Sequence, residues 1–122
     1  TLKLALHKRC FMKAILVPVD FSATSVHAAR YAQQVARQIG AKLILVHAYM
    51  PPPSFPMVEG MLYSEESLRM IMKDKLNQLA IDLDKEDPVI KIESMLMDGN
   101  LKDVTKALTD AMQIFLIVMG IT

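Results

Sequence analysis

The sequence predicts an α/β domain, an open parallel sheet of four strands with helices on both faces. Four short apolar runs carry that expectation: AILVPVD over Ala14 to Asp20, KLILVHA over Lys42 to Ala48, VIKIESMLM over Val89 to Met97 and IFLIVM over Ile114 to Met119. The first, second and fourth lack the alternation of a strand wetted on one face, so they read as strands covered on both sides. Segments with apolar residues at helical spacing lie between successive runs, and a crossover of helix length joins neighbouring strands in parallel with a right-handed sense.

In the first strand Pro18 falls near the end, where a lost ladder bond costs least. Ser22, Thr24 and Ser25 then offer helix caps, and Ala28, Ala32, Val35, Ala36 and Ile39 recur with helical spacing up to Gly40, a residue suited to a left-handed C-cap. The run from Lys42 closes a β-α-β unit. The following MPPPSFPMVEGMLY holds four prolines and a glycine and reads as a long loop. Ser64 is placed to cap the next helix, with Glu65 and Glu66 in its first turn and an apolar stripe of Leu68, Ile71, Met72, Leu76, Leu79, Ala80 and Leu83. Pro88 stops it. The third strand, with Lys91 and Glu93 turned outward, suits a sheet edge. Asp98-Gly99 turns the chain into a short helix capped by Asn100 and Asp103 and lined by Val104, Ala107, Leu108 and Ala111. IFLIVM is the most apolar run, and composition alone makes it central in the sheet.

Bulk properties narrow the function classes. The chain has 122 residues, 52% of them hydrophobic, which suits one domain with a continuous core. Lys plus Arg number 14 against 13 Asp plus Glu, so no broad field exists to hold nucleic acid or an anionic membrane. No apolar run approaches the ~20 residues that cross a bilayer. Cys10 is the only cysteine, so no internal disulfide forms and a reducing, cytoplasmic compartment is the expectation. His7, His27 and His47 are scattered and poor in Cys or carboxylate company, which argues against a metal site. With no nucleophile elbow, triad spacing or paired acids, an enzyme is disfavoured.

In such a sheet ligands sit beyond the carboxyl ends of the strands, where strand order reverses. Those ends are Asp20, Ala48 with Tyr49, Met97 to Gly99, and Met119 with Gly120. A carboxylate at Asp20 can accept hydrogen bonds from ribose hydroxyls or a base amine, or it can cap the turn that follows. His47 reads as a ligand partner or, more readily, as a packed ring with a backbone partner. The Pro53 to Pro56 stretch has PxxP form but reads better as a lid or spacer.

Taken in order, ILVPVDFSATS, IGAKLILVHAY, a proline-bearing loop, a polar helix, DGNLKDV and IFLIVMG resemble the universal stress protein family from Met12 to Thr122. The resemblance implies an adenine-nucleotide alpha hydrolase-like fold with strand order 3-2-1-4-5. It implies that Pro18, Val19 and Asp20 meet a base and ribose and that the main chain of Ala48 holds the adenine. Met119 and Gly120 follow the fourth strand, with Gly99 as a further wall. The family's phosphate segment has the form G-x-x-G-x9-G-[ST]. Gly120 matches its first glycine, and the rest, with the fifth strand and last helix, falls outside this sequence. The expected cofactor is therefore ATP or AMP in a full-length form, with weak or no ATP binding by the chain as it stands.

Two consequences concern partners and boundaries. Without a fifth strand IFLIVM is left at an edge, to be covered by a second copy in a homodimer, by a second tandem domain, or by the leader, whose Leu2, Leu4 and Leu6 alternate as an edge strand does. Residues 1–11, TLKLALHKRCF, lack the long apolar region and cleavage site of a signal peptide, and they read as a leader before a domain spanning 12–122.

Overall fold

The computed structural model describes residues 13–50 and 65–120. The leader, the proline-bearing loop and the Ser64 cap lie outside the described residues. The order is β1 (Ala14–Pro18), α1 (Ala23–Ile39), β2 (Lys42–Tyr49), α2 (Glu65–Glu86), β3 (Ile92–Asp98), α3 (Leu101–Ala111) and β4 (Ile114–Ile117). All pairings are parallel, in the order β3-β2-β1-β4.

The alternation of side chains along β1 and β2 divides the core into two layers. Ile15, Val17, Val19, Leu43 and Leu45 meet Ala29, Ala32 and Ala36 of α1 and Leu76 and Leu83 of α2. Ala14, Leu16, Ile44 and Val46 meet Val104 and Leu108 of α3 on the other face. Burying each large side chain of these strands is worth about 1.5–3 kcal/mol. The continuous apolar runs are thus accounted for by helices on both sides.

Helix α1 starts where Ser22 Oγ accepts from the Ser25 amide at 3.2 Å and ends at Gly40, whose φ of 71° is left-handed. Its buried face differs from the expected stripe. Ser25, Ala29 and Gln33 are buried with Ala32 and Ala36, whereas Ala28, Val35 and Ile39 are half-buried. Gln33 is a polar residue inside the core because its Nε2 donates to the Leu83 carbonyl at 2.6 Å. That carbonyl, in the last turn of α2, also accepts from the Asp87 amide at 3.1 Å, so Gln33 takes its second lone pair.

Five strand boundaries move, among them the ends of β3, at Asp98, and of β4, at Ile117. β1 stops at Pro18 rather than Asp20, and β2 extends one residue to Tyr49. β3 begins at Ile92 because the Asp87 carbonyl and carboxylate take the amides of Ile90 and Val89, turning the chain before the strand. Of the two positions expected for IFLIVM, the central one drawn from composition is corrected and the edge one implied by the family's strand order is found: β4 spans only Ile114–Ile117 and forms an edge beside β1. Phe115 is 55% exposed there, and Leu116, Ile117 and Met119 are exposed too. β3 forms the other edge, as its charged residues anticipated, with Lys42 paired to Glu93 at 3.2 Å. In α2 only Leu76 and Leu83 of the stripe are buried and Ile71 is exposed; in α3 Ala107 and Ala111 are exposed.

Candidate functional site

β1 is the strand at which direction reverses: α1 leads from it to β2, and the chain returns through α3 to β4 on its opposite side. A crevice beyond the carboxyl ends of such strands is where an open sheet has room for a ligand. Whether it opens depends on where the backbone ladders stop.

On the β4 side the last ladder bond runs from the Val118 amide to the Leu16 carbonyl, 2.9 Å. Backbone groups alternate sides along a strand, so the next residue of β1 to face β4 is Pro18, which has no amide hydrogen to donate. On the β2 side the last bond runs from the Val19 amide to the Val46 carbonyl, 2.8 Å. The register would next join the Ala48 amide to the Val19 carbonyl. That rung is not made; the Val19 carbonyl accepts instead from His47 Nδ1 at 2.7 Å. A carbonyl only accepts, so Nδ1 carries the hydrogen.

The chain then leaves the sheet through a strained turn. Asp20 Oδ1 accepts from the Ser22 amide at 3.0 Å, and Phe21 between them has φ 66°, a left-handed value that costs a side-chain-bearing residue about 1–2 kcal/mol. Its ring lies 4.8 Å from that of His47, and Lys75 Nζ lies 5.8 Å from its centre. Hydrogen bonds from Ser22, first its hydroxyl and then its amide, hold the exposed Asp20 carboxyl below the usual aspartate range. The carboxylate is thus ionised, fixed by one oxygen and able to accept further bonds.

Two glycines close the far walls. Gly99 has φ 125° and donates its amide to the Tyr49 carbonyl at 3.0 Å, carrying the end of β3 past β2 into the Asn100 cap of α3. At Gly120 a Cβ would come within 2.5 Å of the Thr24 carbonyl oxygen and 3.0 Å of the Ser25 amide nitrogen. The segment after β4 therefore runs against the first turn of α1, an approach that only glycine permits.

Pro18, Val19, Asp20, Ala48, Gly99, Met119 and Gly120, which the sequence singles out from four separate strand ends, all line one cavity of about 190 Å³. Tyr49 and Met97 do not line it. Ser25, Met50, Asn100 and Leu101 do, and the sequence reading missed them as wall residues. Each is within a few residues of a strand end, so adjacency was the available signal; Ser25 was read as a cap, and its burial hid its second position on the wall. His47 also lines the cavity, and it has the backbone partner that a packed ring was expected to find. Among the described residues no group of three or more His, Cys, Asp or Glu is arranged to hold a metal, and no helix is long and apolar enough to cross a membrane.

The model of the universal stress protein family matches residues 12–122. A universal stress protein of Archaeoglobus fulgidus is 22% identical with a TM-score of 0.72, over 96% of this chain and 81% of that one. The protein from the same organism in complex with dAMP is 22% identical with a TM-score of 0.67, over 91% and 82%. A universal stress protein in complex with cAMP is 23% identical with a TM-score of 0.66, over 88% and 71%. No curated protein sequence matches the chain.

Proposed function

The chain belongs to the universal stress protein family, and on that premise we propose that it is a regulatory module that binds an adenine nucleotide, ATP or AMP, at the carboxyl ends of β1 and β2. The observation that carries the reading is the interrupted ladder, which leaves the amide and carbonyl of Ala48 directed to the β1 side without a strand partner there. A donor beside an acceptor on one residue complements adenine, whose N1 accepts and whose N6 amine donates. Asp20 serves the ribose hydroxyls through its ionised carboxylate. Pro18, Val19 and Met119 supply apolar walls, and Gly99 and Gly120 let backbone approach the ligand closely. Solved relatives described in complex with dAMP and with cAMP support an adenine nucleotide as the ligand class. The module acts by a change of conformation or association rather than by chemistry on the nucleotide. A cytoplasmic location completes the reading, supported by the single cysteine.

Calorimetric titration of AMP and of IMP tests it. AMP should give saturable heat, and IMP, whose N1 donates and whose O6 accepts, should bind about tenfold or more weakly through lost and opposed hydrogen bonds. Equal binding of the two, or no heat with either, would count against the reading.

A second reading draws on the β4 edge. Phe115, Leu116 and Ile117 present exposed apolar side chains beside a backbone edge that no strand pairs among the described residues, a surface that favours association. It supports a homodimer or a tandem pair of domains working through partner contacts without a nucleotide. A concentration-dependent rise in mass by light scattering, abolished by Phe115→Lys, is its expected signature.

A further inference from the structure

We propose that His47 is a positioning residue that makes the ligand edge of Ala48 available by taking the carbonyl with which Ala48 would otherwise pair. The ligand consequence rests on the nucleotide reading above; the backbone consequence does not.

The register of β1 and β2 is regular from Ala14 opposite Lys42 to Pro18 opposite Val46. Both strands continue beyond that point in step: the Val19 amide still reaches the Val46 carbonyl at 2.8 Å. The Val19 carbonyl faces the same side as its amide, and the Ala48 amide faces back toward it. Nothing in the covalent chain prevents their bond, since neither residue is proline. The competitor is the ring of His47, which reaches the carbonyl from the face carrying Phe21, with Nδ1 at 2.7 Å and its ring 4.8 Å from the phenyl ring. A side-chain donor substituted for a main-chain donor satisfies Val19 and releases Ala48, so the sheet ends one rung early without a buried carbonyl left unpaired. The cost of leaving Ala48 unpaired is moderated because the residue is only half-buried at the cavity wall.

The prediction is specific to one amide. In the unliganded full chain, hydrogen exchange followed by NMR should show the Ala48 amide exchanging about tenfold or more faster than the ladder-bonded Val46 amide. In His47→Phe, which keeps an aromatic ring against Phe21 but removes the donor, the Ala48 amide should become protected by a similar factor as it recovers the Val19 carbonyl. AMP affinity should fall about tenfold, the equivalent of about one hydrogen bond. His47→Asn, whose side-chain nitrogen stands at the same remove from Cβ as Nδ1, should restore both fast Ala48 exchange and affinity. Should His47→Phe not fold, the wild-type and His47→Asn exchange patterns still decide the matter. Slow Ala48 exchange in the wild type, or unchanged Ala48 exchange in a folded His47→Phe protein, overturns the inference. If AMP gives no heat while the exchange pattern holds, the nucleotide reading fails and the role of His47 in ending the ladder stands.

Discussion

At their amino ends β1 and β2 are joined from the Lys13 carbonyl and the Lys42 amide, 2.9 Å apart, through five residue pairs without a break, whereas at their carboxyl ends the same strands part after the Val19 to Val46 bond. The joined region is lined by fully buried Ile15, Leu16, Val17, Leu43, Ile44 and Leu45. The parted region holds a proline, a histidine in place of a main-chain donor, a left-handed phenylalanine, an Asx turn and a glycine pressed against a helix. The first region spends every backbone group on itself and is a source of stability. The second withholds some of them, and a cavity forms where they are withheld.

If this contrast is sound, substitutions in the two regions separate stability from ligand affinity. The largest expected effect belongs to the joined region: Leu45→Ala should lower unfolding free energy by about 2–5 kcal/mol in urea titration while the folded fraction binds AMP unchanged. Gly120→Ala should cost about 1–3 kcal/mol, because the added Cβ must push the Thr24 carbonyl aside. Unlike Leu45→Ala, it should also weaken AMP binding, since the displaced segments form the cavity wall. Ser22→Ala removes the acceptor for the Ser25 amide and should cost about 1 kcal/mol, the ordinary value of an N-cap.

The smallest effect concerns acid. The folded Asp20 carboxyl titrates below its ordinary value of 3.8, so its contribution to stability is present above that value and is lost as pH falls through the lower folded value. Acid titration of Asp20→Asn should therefore show a shallower loss of stability below pH 3.8 than the wild type. An identical acid limb would mean that Ser22 does not hold the carboxylate in solution.

Much of this was legible in the sequence because it is encoded locally. Apolar runs and helical spacing placed four strands and three helices in order, and Gly40 and Asn100 marked helix ends through chemistry that needs only neighbouring residues. Strand ends pointed to Asp20, Ala48, Gly99 and Gly120 because a parallel sheet collects its carboxyl ends on one side. What stayed hidden depends on partners distant in sequence. The edge position of β4 is a property of its neighbours in space, which the apolar character of IFLIVM does not carry and only the family's strand order implies. Gln33 stands outside the apolar spacing of α1, and its burial depends on the Leu83 carbonyl, fifty positions away. The strain at Phe21 and the capture of Val19 by His47 follow from a register that no local pattern announces.

The most direct test of the central claim, that the parted end of β1 and β2 is an adenine nucleotide site, is amide shift mapping of the full chain during AMP titration. Saturable shifts centred on Asp20, Ala48, Gly99 and Gly120, with Ala14 to Val17 and Phe115 to Ile117 unmoved, are the expected result. Shifts absent from those four residues at saturating AMP, or gathered on the β4 edge, would contradict it.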